Sequence, residues 1–399
     1  MFSALPARRY EPLALYGILL ATVIALLWWQ LGTLTGGYST SEVASLRIGL
    51  TWRAILDNPV NAPFSVLTHI LSYAGHSPIW GRAAAGICAC ATLVVFYVLA
   101  RRWHGERAAA FGTVLFGGSA WFLHTARLGT PDVLLFGLLA LAATGAWLKN
   151  SKQPLAILTG FVLGGLLLYV PGMLWLIGIG VLWQWRTIDY IFKKNLSAVT
   201  AGGALLLVIV APLCWGIYHH HELAKILAGL PAAGWPEPLQ ILKNIAAVPF
   251  NLTLNGPERP EHWLGRLPIL DAFVLAMVVL GAYLYCKHAR LQRFKIVAGA
   301  LVLGSILIGL GGPVSFTLIV PFLYMLAAAG TGFMLDRWLV VFPRNTIAQA
   351  VGIGLMSLAV LGSCFYGIRH YFVAWPHAPE TKRVFTTLSP SGTSGTIKE

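Results

Sequence analysis

Long apolar runs alternate with short polar stretches along almost the whole chain. Read with a window of about 19 residues, the runs fall near 13–34, 82–100, 107–124, 131–148, 154–170, 172–185, 196–217, 268–286, 296–311, 314–335 and 346–367. Each is continuous, not alternating, which suits a helix in lipid and excludes a porin-like barrel. The fold class predicted is all-α: a polytopic transmembrane helical bundle of about eleven spans. The first run is too long for the apolar part of a signal peptide and lacks a small-residue cleavage site, so it reads as a retained span.

Two segments between runs are long, about 35–81 and 218–267. In the first, SEVASLRIGLTWRAIL and APFSVLTHILSYAG are separated by DNPVN. Their periodicity predicts two amphipathic helices at the membrane interface, with Ser39 or Ser41 as a cap for the first. In the second, AKILAGL and PLQILKNIAAV have the same character. The domain organisation expected is one transmembrane domain over 1–367 and a short extracytoplasmic tail over 368–399, whose Ser/Thr/Gly-rich end has the composition of a disordered segment.

Composition agrees with this pattern. The 399 residues are 57% hydrophobic and only 11% charged, where a soluble chain carries about a quarter charged residues. The net charge of +14 would suit a nucleic-acid partner if it formed a patch. Instead the cations gather at the ends of apolar runs, as in Arg101-Arg102, Lys193-Lys194 and Arg290 to Arg293, and such placement sets topology. The positive-inside rule puts the N-terminus in the cytoplasm, and an odd span count puts the C-terminus outside. The five cysteines, Cys88, Cys90, Cys214, Cys286 and Cys364, lie in or beside apolar runs without zinc-ligand spacing and read as small apolar residues. No glycine-rich nucleotide loop ending in Lys-Ser/Thr occurs, so ATP-driven chemistry has no support. Large outer loops fit an enzyme of the outer face better than a channel or carrier.

On this topology any outer-face carboxylate chemistry draws on Glu42, Asp57, Asp132, Glu222, Glu237, Glu258, Glu261, Asp271, Glu380 and Glu399. FLHTARLGTPDVLLFGLL sets Arg127 and Asp132 at membrane level, where ionisable groups are functional candidates. Their plainer roles are a headgroup anchor and a helix N-terminal charge after Pro131. Glu42 lies in the first turn of a predicted helix, where an acid also simply complements the dipole. His219, His220 and His221 read as a polar cluster at a span end, since adjacent histidines on one helix cannot share a metal.

The order of these features resembles the glycosyltransferase-C superfamily, of the protein O-mannosyltransferase and lipid A aminoarabinose transferase type. YSTSEVASL stands where that family opens its first outer loop with an Asp-Glu pair, Ser41-Glu42 replacing it; NAPFSVL stands in place of a His-Pro-Pro-Leu segment; SPIWGRAAAG supplies Arg82; VLARRWHGERAAAFGTVLF matches the cytoplasmic turn after the second span; and ARLGTPDVLLF gives the Arg-to-Asp turn. The likeness covers about 13–185 and is topological beyond. The family's Lys after the fifth span is absent, and LLLYVPG puts Tyr169 there.

The resemblance implies sugar transfer from a polyprenyl-phosphate donor to an acceptor hydroxyl on a lipid, glycan or protein, at the outer face of a plasma membrane, bacterial inner membrane in type. Glu42 is then the candidate base; Arg47, Arg82, Arg127, Asp132 and Tyr169 are the candidate substrate contacts, Arg47 also being a candidate partner of Glu42 and Asp132 of an arginine. No cofactor is required, although the scheme also accommodates a divalent cation at the phosphate, and no nucleic acid takes part. Two alternatives stay open: a transporter or flippase of a lipid-linked substrate, and a non-catalytic member that has lost the first acid at Ser41.

Overall fold

In the computed structural model the described residues are 21–386 apart from 76, 78, 152, 153, 232, 233, 258 and 266. The first part of the initial apolar run, the N-terminal arginines, His76, Glu258 and the Ser/Thr/Gly-rich end lie outside them. Among the described residues the regular structure is helical and contains no β-strand. Residues 21–28 form α1. The first outer segment holds α2 (Thr40–Gly49), α3 (Trp52–Asp57) and α4 (Ala62–Ser72). Then follow α5 (Ile79–His104), α6 (Glu106–Gly117), α7 (Ala120–Arg127) and, after a 3₁₀ turn over Pro131–Phe136, α8 (Gly137–Ser151). The chain continues through α9 (Pro154–Leu167), α10 (Met173–Trp183), α11 (Trp185–Lys194) and α12 (Leu196–His219). The second outer segment carries α13 (Glu222–Leu227) and α14 (Pro238–Thr253). Helices α15 (Ala272–Lys287), α16 (Gln292–Gly309), α17 (Val320–Val341) and α18 (Thr346–Arg369) complete the bundle, and α18 runs on through a π-turn, His370–Ala374, into α19 (Trp375–His377) before α20 (Pro379–Val384).

Among the described residues six helical segments are long and apolar enough to cross a membrane: Ile79–His104, Pro131–Leu148, Leu196–His219, Gln292–Gly309, Phe316–Val341 and Thr346–His377. The expectation of about eleven spans is not met by helix length alone. The 14 residues of α9 rise about 21 Å against a hydrocarbon layer of about 30 Å. The run at 107–124 is broken, because the Ser119 hydroxyl donates to Phe116 O at 2.7 Å and accepts from Phe122 N at 3.3 Å. That cap ends α6 and starts α7 in a new direction.

The first outer segment likewise gives three helices where periodicity predicts two. Thr51 Oγ1 accepts from Ala54 N at 3.2 Å and restarts the chain as α3. The break at DNPVN falls where expected, with Asn61 in the left-handed region at φ +57°, a conformation asparagine tolerates better than most residues. Helix α4 packs between α2 and α5, and His69 Nδ1 donates to Gly49 O at 2.8 Å, pinning α4 to the end of α2. No chain break marks the boundary expected at 367. The last helix keeps its course, and Trp375 and Phe385 beyond it are buried in the core.

Helix α17 is the centre of the bundle, with Phe322, Tyr324, Met325, Ala327 and Ala328 buried. Its contact with α15 is backbone on backbone. A methyl at Gly281 would lie 2.0 Å from Leu326 O, and one at Gly330 would lie 2.2 Å from Met277 O. Small residues give such close approach between helices in lipid, where packing rather than water exclusion drives association. Phe96, Phe116, Phe122, Phe136 and Tyr324 pack on one another in the core among α5 to α8 and α17.

Candidate active site

Helix α2 begins with a capping box. Ser39 Oγ accepts from Glu42 N at 3.2 Å, and Glu42 Oε2 accepts from Ser39 N at 3.0 Å. This local pairing turns the Glu42 carboxylate inward, where it is 1% exposed. There it meets Arg82, four residues into α5. Arg82 Nε donates to Oε1 at 2.7 Å and Nη2 to Oε2 at 2.9 Å, a two-pronged pairing that suits guanidinium geometry. The rest of the guanidinium is equally engaged. Nη1 donates to Leu31 O at 3.0 Å, Nη2 to Gly37 O at 2.9 Å, and the plane lies 4.5 Å from the Tyr38 ring centroid. One fully buried ion pair thus ties the chain after α1, the start of α2 and the start of α5 together.

The turn between α7 and α8 joins the same knot. Gly129 N donates to Glu42 Oε1 at 2.9 Å. A Cβ at Gly129 would stand 3.1 Å from Arg82 N and 3.2 Å from Gly81 C, both backbone atoms. The RLGTPD stretch therefore requires glycine for close approach. With this bond all four acceptor positions of Glu42 are filled, by Arg82 Nε, Arg82 Nη2, Ser39 N and Gly129 N. The carboxylate expected as the base has no lone pair left for a substrate hydroxyl. Nor does Arg47 pair with it. Five residues along a helix turn the side chain by about 140°, and Arg47 is exposed on the far side of α2.

Arg127 and Asp132, neighbours in sequence, separate in space. Arg127 is 3% exposed. Its Nε donates to Tyr371 OH at 3.1 Å, its Nη1 and Nη2 donate to the Leu26 and Trp29 carbonyls, and it stacks on the Phe372 ring at 4.8 Å. It has no acidic partner among the described ion pairs. Asp132, in the first turn of the 3₁₀ segment, faces His262 with Oδ2 3.7 Å from Nε2. It does not orient an arginine, because Pro131 turns the chain between them.

The second outer segment closes over this ground, a convergence that the sequence pattern did not reveal. Trp263 is 2% exposed, rests on Trp121 and His370, and donates from its indole to Leu267 O at 2.7 Å. Pro260 O accepts from Trp375 Nε1 at 3.0 Å. Between these anchors Glu261 reaches α2, where its Oε1 accepts from the Ser41 hydroxyl. A narrow recess of about 10 Å³ remains, lined by Arg82, His124, Arg127, Glu261, Tyr371 and Trp375 among others. His124 is 2% exposed, and neither of its nitrogens has a hydrogen-bond partner. A buried imidazole without a partner is costly, and a recess of this size has room for about one water to supply one. The sequence signal for these residues was faint. His124 sits three residues before Arg127, and Glu261 was one of ten outer acids.

Tyr169 is not among the residues lining the recess. It packs with Ile55, Leu213 and Leu227, its hydroxyl donates to Ile209 O, and its carbonyl accepts from Asn61 N at 2.8 Å. His219, His220 and His221 are exposed. Among the described residues no three His, Cys, Asp or Glu side chains come together as a metal site requires. A second cavity, about 840 Å³ and largely apolar, lies among α8, α9, α10 and α16, with Lys295 and Arg290 at its edge.

No family model matches the chain, and no curated protein does. Its structure is similar to that of ArnT from Cupriavidus metallidurans. For the form bound to undecaprenyl phosphate the TM-score is 0.58 at 14% identity, over 92% of this chain and 76% of the other. For the apo form it is 0.59 at 15%, over 94% and 78%. The oligosaccharyltransferase of Archaeoglobus fulgidus, in the apo form, superposes with a TM-score of 0.55 at 14% identity, over 93% of this chain and 56% of its own length. The chain shares its fold with these membrane proteins, which agrees at the level of fold with the resemblance read from the sequence.

Proposed function

We propose that the chain is a membrane glycosyltransferase that moves a sugar from a polyprenyl-phosphate donor to an acceptor hydroxyl at the outer face. The observation that carries this reading is Arg127, a buried guanidinium with no carboxylate partner among the described residues, at the edge of a recess that also holds a carboxylate. A cation buried without a counter-ion is costly, and a phosphate oxyanion is the ligand that would offset it. Guanidinium suits that role because its fork can meet two oxygens. ArnT from Cupriavidus metallidurans, which shares the fold, is described as bound to undecaprenyl phosphate, which supports the same ligand class here.

In the proposed reaction the acceptor oxygen attacks the anomeric carbon while the bond to the phosphate oxygen breaks. Arg127 stabilises the charge that grows on that oxygen. Arg82 stands behind it, locked by Glu42, and fixes the position of the α2 start and of the Gly129 turn. Asp132 and His262, adjacent on the outer rim, are placed for sugar or acceptor hydroxyls. The 840 Å³ apolar cavity is suited to a lipid chain. The proposed setting is a bacterial inner membrane with the N-terminus in the cytoplasm and about eleven crossings, the shorter helices being tilted or stacked in pairs. No cofactor is needed.

The test is transfer by the full chain in proteoliposomes supplied with undecaprenyl-phosphate-linked, isotope-labelled hexoses and pentoses and an envelope lipid extract. Labelled product together with free undecaprenyl phosphate is expected, and Arg127→Ala abolishes both. Label that crosses the bilayer still attached to its carrier would instead establish a flippase.

A further inference from the structure

We propose that Glu261, and not Glu42, accepts the acceptor's proton. The inference rests on the transfer reading above and assigns its base. Two observations meet in it. The first is the saturation of Glu42, whose two oxygens already accept four hydrogen bonds and which does not line the recess. The second is the position of Glu261. Among the described carboxylates it is the one that lines the recess. Its Oε1 takes the Ser41 hydroxyl, and its Oε2 takes no hydrogen bond from any described residue. The residue is half-buried, so it keeps access to a hydroxyl arriving from outside.

The surroundings hold this carboxylate as a reacting group must be held. Ser39 Oγ lies 3.2 Å from Ser41 Oγ. Since Ser41 gives its one proton to Glu261, Ser39 is the donor in that pair. The relay fixes the rotamer of Ser41, and Ser41 fixes Oε1, which leaves Oε2 as the free acceptor. On the other side the loop is clamped at Pro260 by Trp375 and at Trp263 by Leu267 O and by the rings of Trp121 and His370. The charged and titratable groups facing Glu261 across the recess are Arg82 from α5, His124 and Arg127 from α7, and Tyr371 from the end of α18, while His262 beside it turns to Asp132. Two other outer acids are engaged elsewhere, Asp132 with His262 and Asp271 at a helix start. Asp271 caps α15 through Val274 N at 2.9 Å and accepts from Ser363 Oγ at 2.5 Å.

The step balances without a further reactant. The acceptor O–H proton passes to Glu261 Oε2 as its oxygen forms a bond to the anomeric carbon. The bond from that carbon to the phosphate oxygen breaks, its electron pair stays on the phosphate, and Glu261 later gives the proton to water. His124, with both nitrogens unpartnered, is positioned to hold a sugar hydroxyl or a phosphate oxygen during this exchange.

The experiment measures release of undecaprenyl phosphate by mass spectrometry from the same proteoliposomes across pH. Glu261→Gln keeps an oxygen for Ser41 and is expected to lower kcat at least about 10²-fold, with KM for the donor unchanged within about threefold, and to remove the acid limb of the pH profile. Ser41→Asp in the Glu261→Gln background returns a carboxylate to the same place and is expected to recover at least about tenfold of the rate. Should the Gln variant not fold, Glu261→Asp serves, with an expected loss of at least about tenfold in kcat because the carboxylate retreats by one methylene. A Glu261→Gln enzyme within threefold of the wild type, one that keeps the acid limb, or an undiminished Glu261→Asp enzyme overturns the base assignment alone. A wild-type chain that releases nothing from any donor overturns the transfer reading, and the assignment with it.

Discussion

Replacing Arg82 by methionine keeps much of the side-chain volume and removes the charge. The residue is 3% exposed and its partner Glu42 is 1% exposed, so water cannot take the place of the guanidinium. Glu42 loses the donors at 2.7 Å and 2.9 Å, and the carbonyls of Leu31 and Gly37 lose theirs at 3.0 Å and 2.9 Å. Breaking a buried pair from one side costs about 3–5 kcal/mol, which is roughly 10²- to 5 × 10³-fold in the unfolding equilibrium. The partner change Glu42→Gln leaves the buried Arg82 charge without its counter-ion and turns an amide NH₂ toward an N–H donor, so it is expected to cost a similar amount, about 3–5 kcal/mol. Because both changes remove one interaction, the double variant is expected to fall short of their sum by at least about 1 kcal/mol. Unfolding by SDS in bicelles, followed by the fluorescence of the 15 tryptophans, measures all three. An Arg82→Met variant within about 1 kcal/mol of the wild type, or a strictly additive cycle, would refute the claim that this pair holds the outer segments together.

Three further outcomes follow from the same geometry. Gly129→Ala sets a methyl 3.1 Å from Arg82 N and 3.3 Å from Glu42 Oε1, so the turn must move by a few tenths of an ångström and its bond to Glu42 is strained; a loss of about 1–3 kcal/mol is expected in the same unfolding assay, against a change within about 0.5 kcal/mol for exposed Arg47→Ala. Arg127→Lys cannot serve the Leu26 and Trp29 carbonyls and Tyr371 OH at once and is expected to weaken undecaprenyl phosphate binding at least about tenfold, read by native mass spectrometry. Tyr169→Phe leaves Ile209 O without its donor and is expected to cost about 0.5–1.5 kcal/mol of stability with no change in KM, since Tyr169 does not line the recess; a raised KM would return it to the substrate site.

The helical class was legible because lipid imposes it. Apolar runs long enough to leave water must satisfy their own backbone, and a helix is the local way to do so. What hydropathy cannot show is where a run is cut. Ser119 is as tolerable within a span as outside one, and only its bonds to Phe116 O and Phe122 N turn 107–124 into two helices. The same holds for Thr51, which divides a stretch whose periodicity reads as one helix. The docking of Trp375 and Phe385 was hidden for another reason. Trp375 packs on His124 and donates to Pro260 O, both more than 100 residues away, and Phe385 packs on Trp375; no local period encodes a contact of that separation.

The site divides along the same line. Glu42 and its cap were visible because a capping box is a local motif, and Arg82 and Arg127 were visible because cations are rare at membrane level. Which carboxylate faces the recess was not, because that depends on how four acceptor positions are filled. Ser39 N, the Arg82 guanidinium of α5 and the backbone of Gly129 together consume Glu42. The absence of an acid at Ser41 looked, in the linear sequence, like a lost function. In space it is a short side chain that leaves room for a carboxylate from a loop 220 residues further on. A glutamate brought in from a separate segment makes the position of that acid dependent on the Trp263 and Trp375 clamps. Loosening either clamp should therefore reduce turnover without touching the Arg82–Glu42 pair, a separation that a base carried on α2 itself would not allow.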